Sequence, residues 1–175
     1  MAVREILLLG NASLRMKCEP VKDFADPHVG DAIGDLRDTL ARFRRDHGFG
    51  RGIAAPQIGL SKRIVFIAAD SPMAVINPRV VKRSVEMMTL WDDCFSFPDI
   101  LVKVRRHAKI TVEFRDDRGG KQALHAEGGL AELLQHEIDH IDGILAIDRA
   151  IDSRQIVLRS EWLKMAETGK HTVQL

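Results

Sequence analysis

His136 and His140 stand four residues apart with Glu137 beside the first, in the run LLQHEIDHIDG from Leu133 to Gly143. On a helix, residues at that spacing share one face. Two imidazoles so placed can hold one metal ion, and the glutamate can serve as a general base. The alternative is a solvated amphipathic helix whose histidines bind nothing. A catalytic site of zinc type has three protein ligands and keeps one position for water. The third ligand must therefore be His, Cys, Asp or Glu. Cys94, in WDDCFSFPD just after a strand-like run, is the favoured candidate. A lone cysteine can equally be a small buried apolar residue. Asp92 and Asp93 would raise a thiol's pKa, and only a bound cation would reverse that.

Other elements must carry these residues. Asp26-Pro27 is a cap followed by a proline in the first turn, and Val29, Ile33, Leu36, Leu40 and Phe43 recur at helical spacing. They predict a helix that ends near His47-Gly48. The glycine-rich stretch GFGRGIAAPQIG (48–59) follows as a loop. Strands are expected at 63–68, 74–76, 79–82, about 85–90, 101–104 and 109–114. The turn DDRGG leads to a further strand at 121–126, which predicts a hairpin. The histidine helix should run from about Gly129 to Ile141. A last helix, about Ser153 to Thr168, would be capped by Asp152 or Ser153 and end before Gly169. Strands grouped between helices predict an α+β fold, not an alternating parallel one.

The 175 residues, with 45% hydrophobic and 29% charged, fit one soluble domain spanning 1–175. A net charge of +1 gives no electrostatic footprint for nucleic acid or an anionic membrane. The apolar runs are strand-sized, too short to cross a bilayer, and the N-terminal run 6–9 does not read as a signal peptide. A cytoplasmic location is expected. Cys18 and Cys94 could form one disulfide, but two cysteines make no framework. Lys103, Arg105 and Arg106 read as a basic cluster on a solvated strand face, and Trp91 and Trp162 as packing residues.

Three segments occur in one order: GRGIAAPQ (50–57), DDCFS (92–96) and QHEIDH (135–140). Together they resemble the signature motifs of the peptide deformylases, G-x-G-x-A-A-x-Q, E-G-C-x-S and Q-H-E-x-D-H. The first and third match in full, the second at Cys and Ser only. Ile76-Asn77-Pro78 and Ile144-Leu145 extend the resemblance, which runs from about residue 5 to 165. It implies antiparallel or mixed sheets packed around a central metal-binding helix, with N- and C-terminal helices. It implies Cys94, His136 and His140 as ligands of one divalent metal ion. In that family the ion is typically Fe(II), with zinc, nickel or cobalt able to replace it. Residue types alone would have suggested zinc, and imidazole with thiolate does not decide the metal.

By the same resemblance, Glu137 is the general base and proton shuttle. The Gln57 side chain and the Phe95 backbone N–H would stabilise the oxyanion. The implied substrate is the N-formyl group of a nascent polypeptide, the products formate and a free amine, and the ribosome a possible docking partner. Substrate would contact Gly50, Arg51, Gly52, Leu90, Asp92, Asp93, Gly129, Glu132 and Leu133, its backbone lying along the glycine segment as an added strand. Gly50 and Gly52 would let backbone approach closely. A phosphate loop is excluded, because no Gly-Lys-Ser/Thr ending follows.

Five positions depart from the pattern. Asp92-Asp93 replaces Glu-Gly, Arg51 replaces an aliphatic residue, and Glu132 and Gly129 replace larger apolar ones. Two charges in an apolar side-chain pocket are costly unless paired, so Arg51 is expected to reach Glu132 or Asp92. These departures keep two further readings open: a deformylase-like hydrolase acting on another formylated or acylated amine, and an inactive metal- or peptide-binding relative. An ordinary zinc endopeptidase leaves the Gln57 and Cys94 segments unexplained.

Overall fold

The computed structural model describes residues 2–69 and 71–167. Helix α1 spans Pro27–His47. Its cap is the Asp26 carboxylate, which accepts the His28 N–H at 3.0 Å, and it stops at Gly48 in the left-handed conformation, φ 79°. The face bearing Val29, Leu36, Leu40 and Phe43 packs on Ile53, Ile64, Phe66, Ile76 and Phe95.

Strands β1 (Gly52–Ala54), β2 (Ile64–Ile67), β3 (Met73–Arg83), β6 (Lys109–Arg115) and β7 (Lys121–Glu127) form an antiparallel sheet in the order β1-β2-β3-β6-β7. A second antiparallel sheet has the order β4-β5-β8, from β4 (Met87–Asp93), β5 (Ile100–His107) and β8 (Ile156–Leu158). Helix α2, Gly129–Ile141, presents Ala131, Leu134, Ile138 and Ile141 to Val65, Ile67, Val75 and Val112 of the large sheet. Contacts with β5 cover it from the side of the small sheet. Nearly every α2 side chain is consequently buried, charged ones included. The fold is α+β with antiparallel sheets, as expected.

Three elements differ from the sequence expectations. The two strands expected at 74–76 and 79–82 are one strand, β3, with a register shift between Ile76 and Arg79. Asn77 makes the shift by adopting φ 52°, and its side-chain amide is held by both backbone groups of Val21 at 2.8 Å. A short polar residue tolerates that conformation, and Asn-Pro read locally as a break. β1 was hidden inside the glycine-rich loop. The helix expected from Ser153 begins only at Arg159: a 3-10 turn at Ser153–Gln155 leads into β8, and α3 spans Arg159–Glu167. Ile156, Val157 and Leu158 complete the edge of the small sheet beside β5, so tertiary pairing overrides helical spacing in a β-branched run. The expected end at Thr168–Gly169 lies outside the described residues. Cys18 and Cys94 are both free thiols, each buried.

Candidate active site

Helix periodicity puts His136 and His140 side by side, their Nε2 atoms 3.2 Å apart. The loop leaving β4 brings the Cys94 Sγ to 3.2 Å from His140 Nε2. A tetrahedral ion with bonds of the usual length holds imidazole and thiolate donors about 3.3–3.6 Å apart, so this buried trio is already close to a coordination shell. Asp92, Glu132 and His136 also lie near one another. Those two carboxylates are engaged by arginines, which leaves the thiol and imidazoles as the donor set that fits a metal.

What sets these donors is a chain of buried charge behind them. Asp92 Oδ1 is 2.8 Å from His136 Nδ1. Its other oxygen accepts from Arg106 at 2.8 and 3.2 Å. Arg106 also donates to Asp139 at 2.9 Å, and Asp139 is held in turn by Arg149 at 2.8 and 3.2 Å. Burial works to raise the Asp92 carboxyl, but the charges and hydrogen bonds of His136 and Arg106 outweigh it and hold it well below the usual range. Arg106, expected on a solvated face, is 4% exposed. Strand alternation on β5 turns it inward toward α2 while Arg105 faces out. Asp139 lies inside the motif and Arg106 inside the basic run, but neither announces in sequence that it pairs with the other.

Glu137 is buried beside the trio, and its Oε2 has no hydrogen-bond partner. Burial raises its carboxyl to about 7. Such a group can hold or release a proton near neutrality. Its neighbour explains one glycine: a Cβ on Gly52 would sit 2.7 Å from Glu137 Oε1 and 3.0 Å from Leu133. Gly50 has φ +121°, and a Cβ there would strike the Phe95 ring at 2.4 Å. The G-x-G pair therefore lets β1 close on the glutamate and on the cysteine loop.

Gln57 is fixed by its carbonyl oxygen, which accepts the Ala54 N–H at 2.9 Å. That leaves its amide nitrogen facing Cys94 Sγ at 3.6 Å and Ser96 Oγ at 3.4 Å. Phe95 stacks on Phe43 with ring centroids 3.9 Å apart, anchoring the cysteine loop to α1.

A cavity of about 410 Å³ opens onto His136 and Glu137, lined also by Gly50, Arg51, Gly52, Leu90, Glu132 and Leu133 among others. Arg51 pairs with Glu132 and not with Asp92, and its Nη1 donates to the Gly129 carbonyl at 3.0 Å. Asp92 borders the cavity, but its carboxylate is turned to His136 and Arg106. Asp93 turns away to Arg159 at 2.8 Å, and that guanidinium also lies 4.2 Å from the Phe49 ring centre. Sequence reasoning missed Arg159, because β8 that positions it was read as helix.

The family model for polypeptide deformylase matches residues 3–155. The chain belongs to the polypeptide deformylase family. A peptide deformylase from Desulfitobacterium hafniense is 39% identical over 153 residues, 86% of this chain and 96% of that protein. One from Thermotoga sp. (strain RQ2) is 34% identical over 168 residues, 94% of this chain and 98% of its own length. Among solved structures, the deformylase of Thermotoga maritima superposes with a TM-score of 0.80 at 33% identity, covering 87% of this chain and all of that one. That of Legionella pneumophila gives 0.80 at 32%, covering 97% and 96%. The chain is thus an enzyme of the deformylase type, from a metal-dependent family. No helix among the described residues is long and apolar enough to cross a membrane.

Proposed function

We propose that this deformylase hydrolyses the N-formyl amide at the start of a nascent polypeptide in the cytoplasm, formylmethionine being the family's substrate, and releases formate. The observation that carries the reading is a buried carboxylate with an unpartnered oxygen, Glu137, beside three convergent soft and borderline donors, Cys94, His136 and His140. These three would hold one divalent ion, Fe(II) in the native protein, with zinc, nickel or cobalt able to take its place. When bound, that ion polarises the formyl oxygen and acidifies water.

The chain's own groups do the rest. Glu137 accepts the proton of the attacking water at its free oxygen and returns it to the leaving nitrogen. A carboxyl raised to about 7 by burial is suited to both halves of that exchange. The Gln57 amide, pinned through its carbonyl, directs N–H donors toward the developing oxyanion, and the Phe95 backbone N–H is the second donor. Asp92, at His136 Nδ1, orients that ring so that its Nε2 lies beside that of His140, where the two would hold the ion. The peptide backbone would lie along β1, the edge strand of the large sheet.

A second reading, hydrolysis of another formylated amine, is favoured by the Arg51–Glu132 pair in the cavity wall. Formate release from a formyl-methionyl tripeptide by metal-loaded protein tests the first reading. Turnover at an ordinary enzymatic rate of about 1 per second or more supports it. Turnover only on other formyl amines would favour the second.

A further inference from the structure

Glu132 precedes His136 by one helical turn, so it projects from the same face of α2. On the deformylase reading, the side chain carried by the carbon bonded to the formylated nitrogen would rest against it. Its side chain is 7% exposed and its carboxylate accepts from Arg51, whose own side chain is 49% exposed. Gly129 belongs to the same arrangement. Its carbonyl accepts from Arg51 Nη1 at 3.0 Å, and a Cβ on it would sit 3.3 Å from that nitrogen. Leu90 and Leu133 complete the wall. The nearby carboxylates are already matched, Asp92 by Arg106 and His136, and Asp93 by Arg159. The wall thus presents one balanced ion pair among apolar groups, while Arg44 and Glu137 border the cavity elsewhere.

An apolar chain seated there would strip water from the guanidinium and the carboxylate and replace none of its hydrogen bonds. A charged chain would be repelled by one member of the Arg51–Glu132 pair as it is drawn to the other, and would break that pair. A terminal carboxamide answers both partners, its N–H₂ donating to Glu132 and its oxygen accepting from Arg51, with no net charge. We infer that this cavity receives the first side chain of a formylated peptide and selects one ending in a neutral carboxamide, of glutamine's length, over an apolar chain of equal length. The reaction rests on the deformylase reading; the preference rests on the ion pair, departs from the family's methionine and sides with the second reading, another formylated amine.

The test compares kcat/KM for tripeptides beginning with formyl-glutamine, formyl-norleucine and formyl-glutamate. The expected order places glutamine ahead of both by about tenfold or more. Glu132→Gln, which keeps the volume, should narrow the ratio, and Arg51→Ile with Glu132→Ile should reverse it. Norleucine equal to or ahead of glutamine in the unmodified protein overturns the inference. If no peptide is cleaved, calorimetric binding of the same peptides to metal-loaded Glu137→Gln separates the two claims. Tighter binding of the glutamine peptide keeps the inference and rejects deformylation. Equal or weaker binding of it, or no binding of any peptide, rejects the inference.

Discussion

Replacing Arg106 by methionine should cost more stability than the loss of any exposed arginine in this chain. Arg106 is 4% exposed and bridges Asp92 on β4 to Asp139 on α2. Methionine keeps much of the volume and removes the charge. Asp139 retains Arg149 at 2.8 Å, so the penalty falls mainly on Asp92, left with His136 alone. Breaking a buried pair by removing one partner costs about 3–5 kcal/mol. For a chain of this size that lowers Tm by roughly 6–20 °C. Urea unfolding of the metal-free protein, followed by circular dichroism, measures it. Arg106→Met combined with Asp92→Asn should recover about half of the loss, because no uncompensated charge stays buried. Without Arg106 the Asp92 carboxylate is also freer to swing from His136, so metal affinity should fall about 10–100-fold. A loss below about 1 kcal/mol, the range of exposed pairs, or simple additivity in the double variant would refute the reasoning.

Three further outcomes follow from the same geometry. The folded-state pKa of Glu137, about 7, lies above its ordinary value of 4.5, so the native state binds the extra proton and stability declines as pH rises between those values. Relative to Glu137→Gln, metal-free protein should lose up to about 3 kcal/mol from pH 4.5 to 7 in urea melts; a flat difference would contradict the burial argument. Gly52→Ala drives a methyl group into Glu137 Oε1, so kcat should fall about 100-fold with metal content retained, and unchanged kcat would show that the close approach is not needed. Cys94→Ala removes the one thiol of the trio, so divalent metal measured by elemental analysis after gel filtration should drop well below one ion per chain; full retention would reject Cys94 as a ligand.

The parts of this fold that were legible in sequence are those written in local chemistry. Asp26-Pro27 and Gly48 mark both ends of α1, and Gly129 and Ile141 bound α2 where the apolar spacing placed them. The trio, Glu137 and Gln57 were legible from three motifs in one order, and the structure brings all five together. That Arg51 would reach Glu132 or Asp92 followed from the cost of an unpaired charge in a closed site, and the structure pairs it with Glu132. What was not legible depends on partners distant in sequence. Arg106 reads as one more solvated cation until β5 is laid against α2. β8 reads as helix until the edge of β5 offers it hydrogen bonds. The glycines were expected to make way for a ligand, and the side chains nearest to them are Glu137 and Phe95. Asp93, expected to contact substrate, turns to Arg159, a residue 66 positions away.

The central claim is that Glu137, beside a metal held by Cys94, His136 and His140, removes formyl groups. The most direct measurement is formate release from a formyl-peptide panel that includes formyl-methionine, by anaerobically purified, Fe(II)- or nickel-loaded protein and by Glu137→Gln carrying the same metal content. Release by the unmodified protein and a loss of at least about 100-fold in the variant are expected. Equal rates in the two proteins, or no formate from any peptide at full metal loading, would contradict the claim.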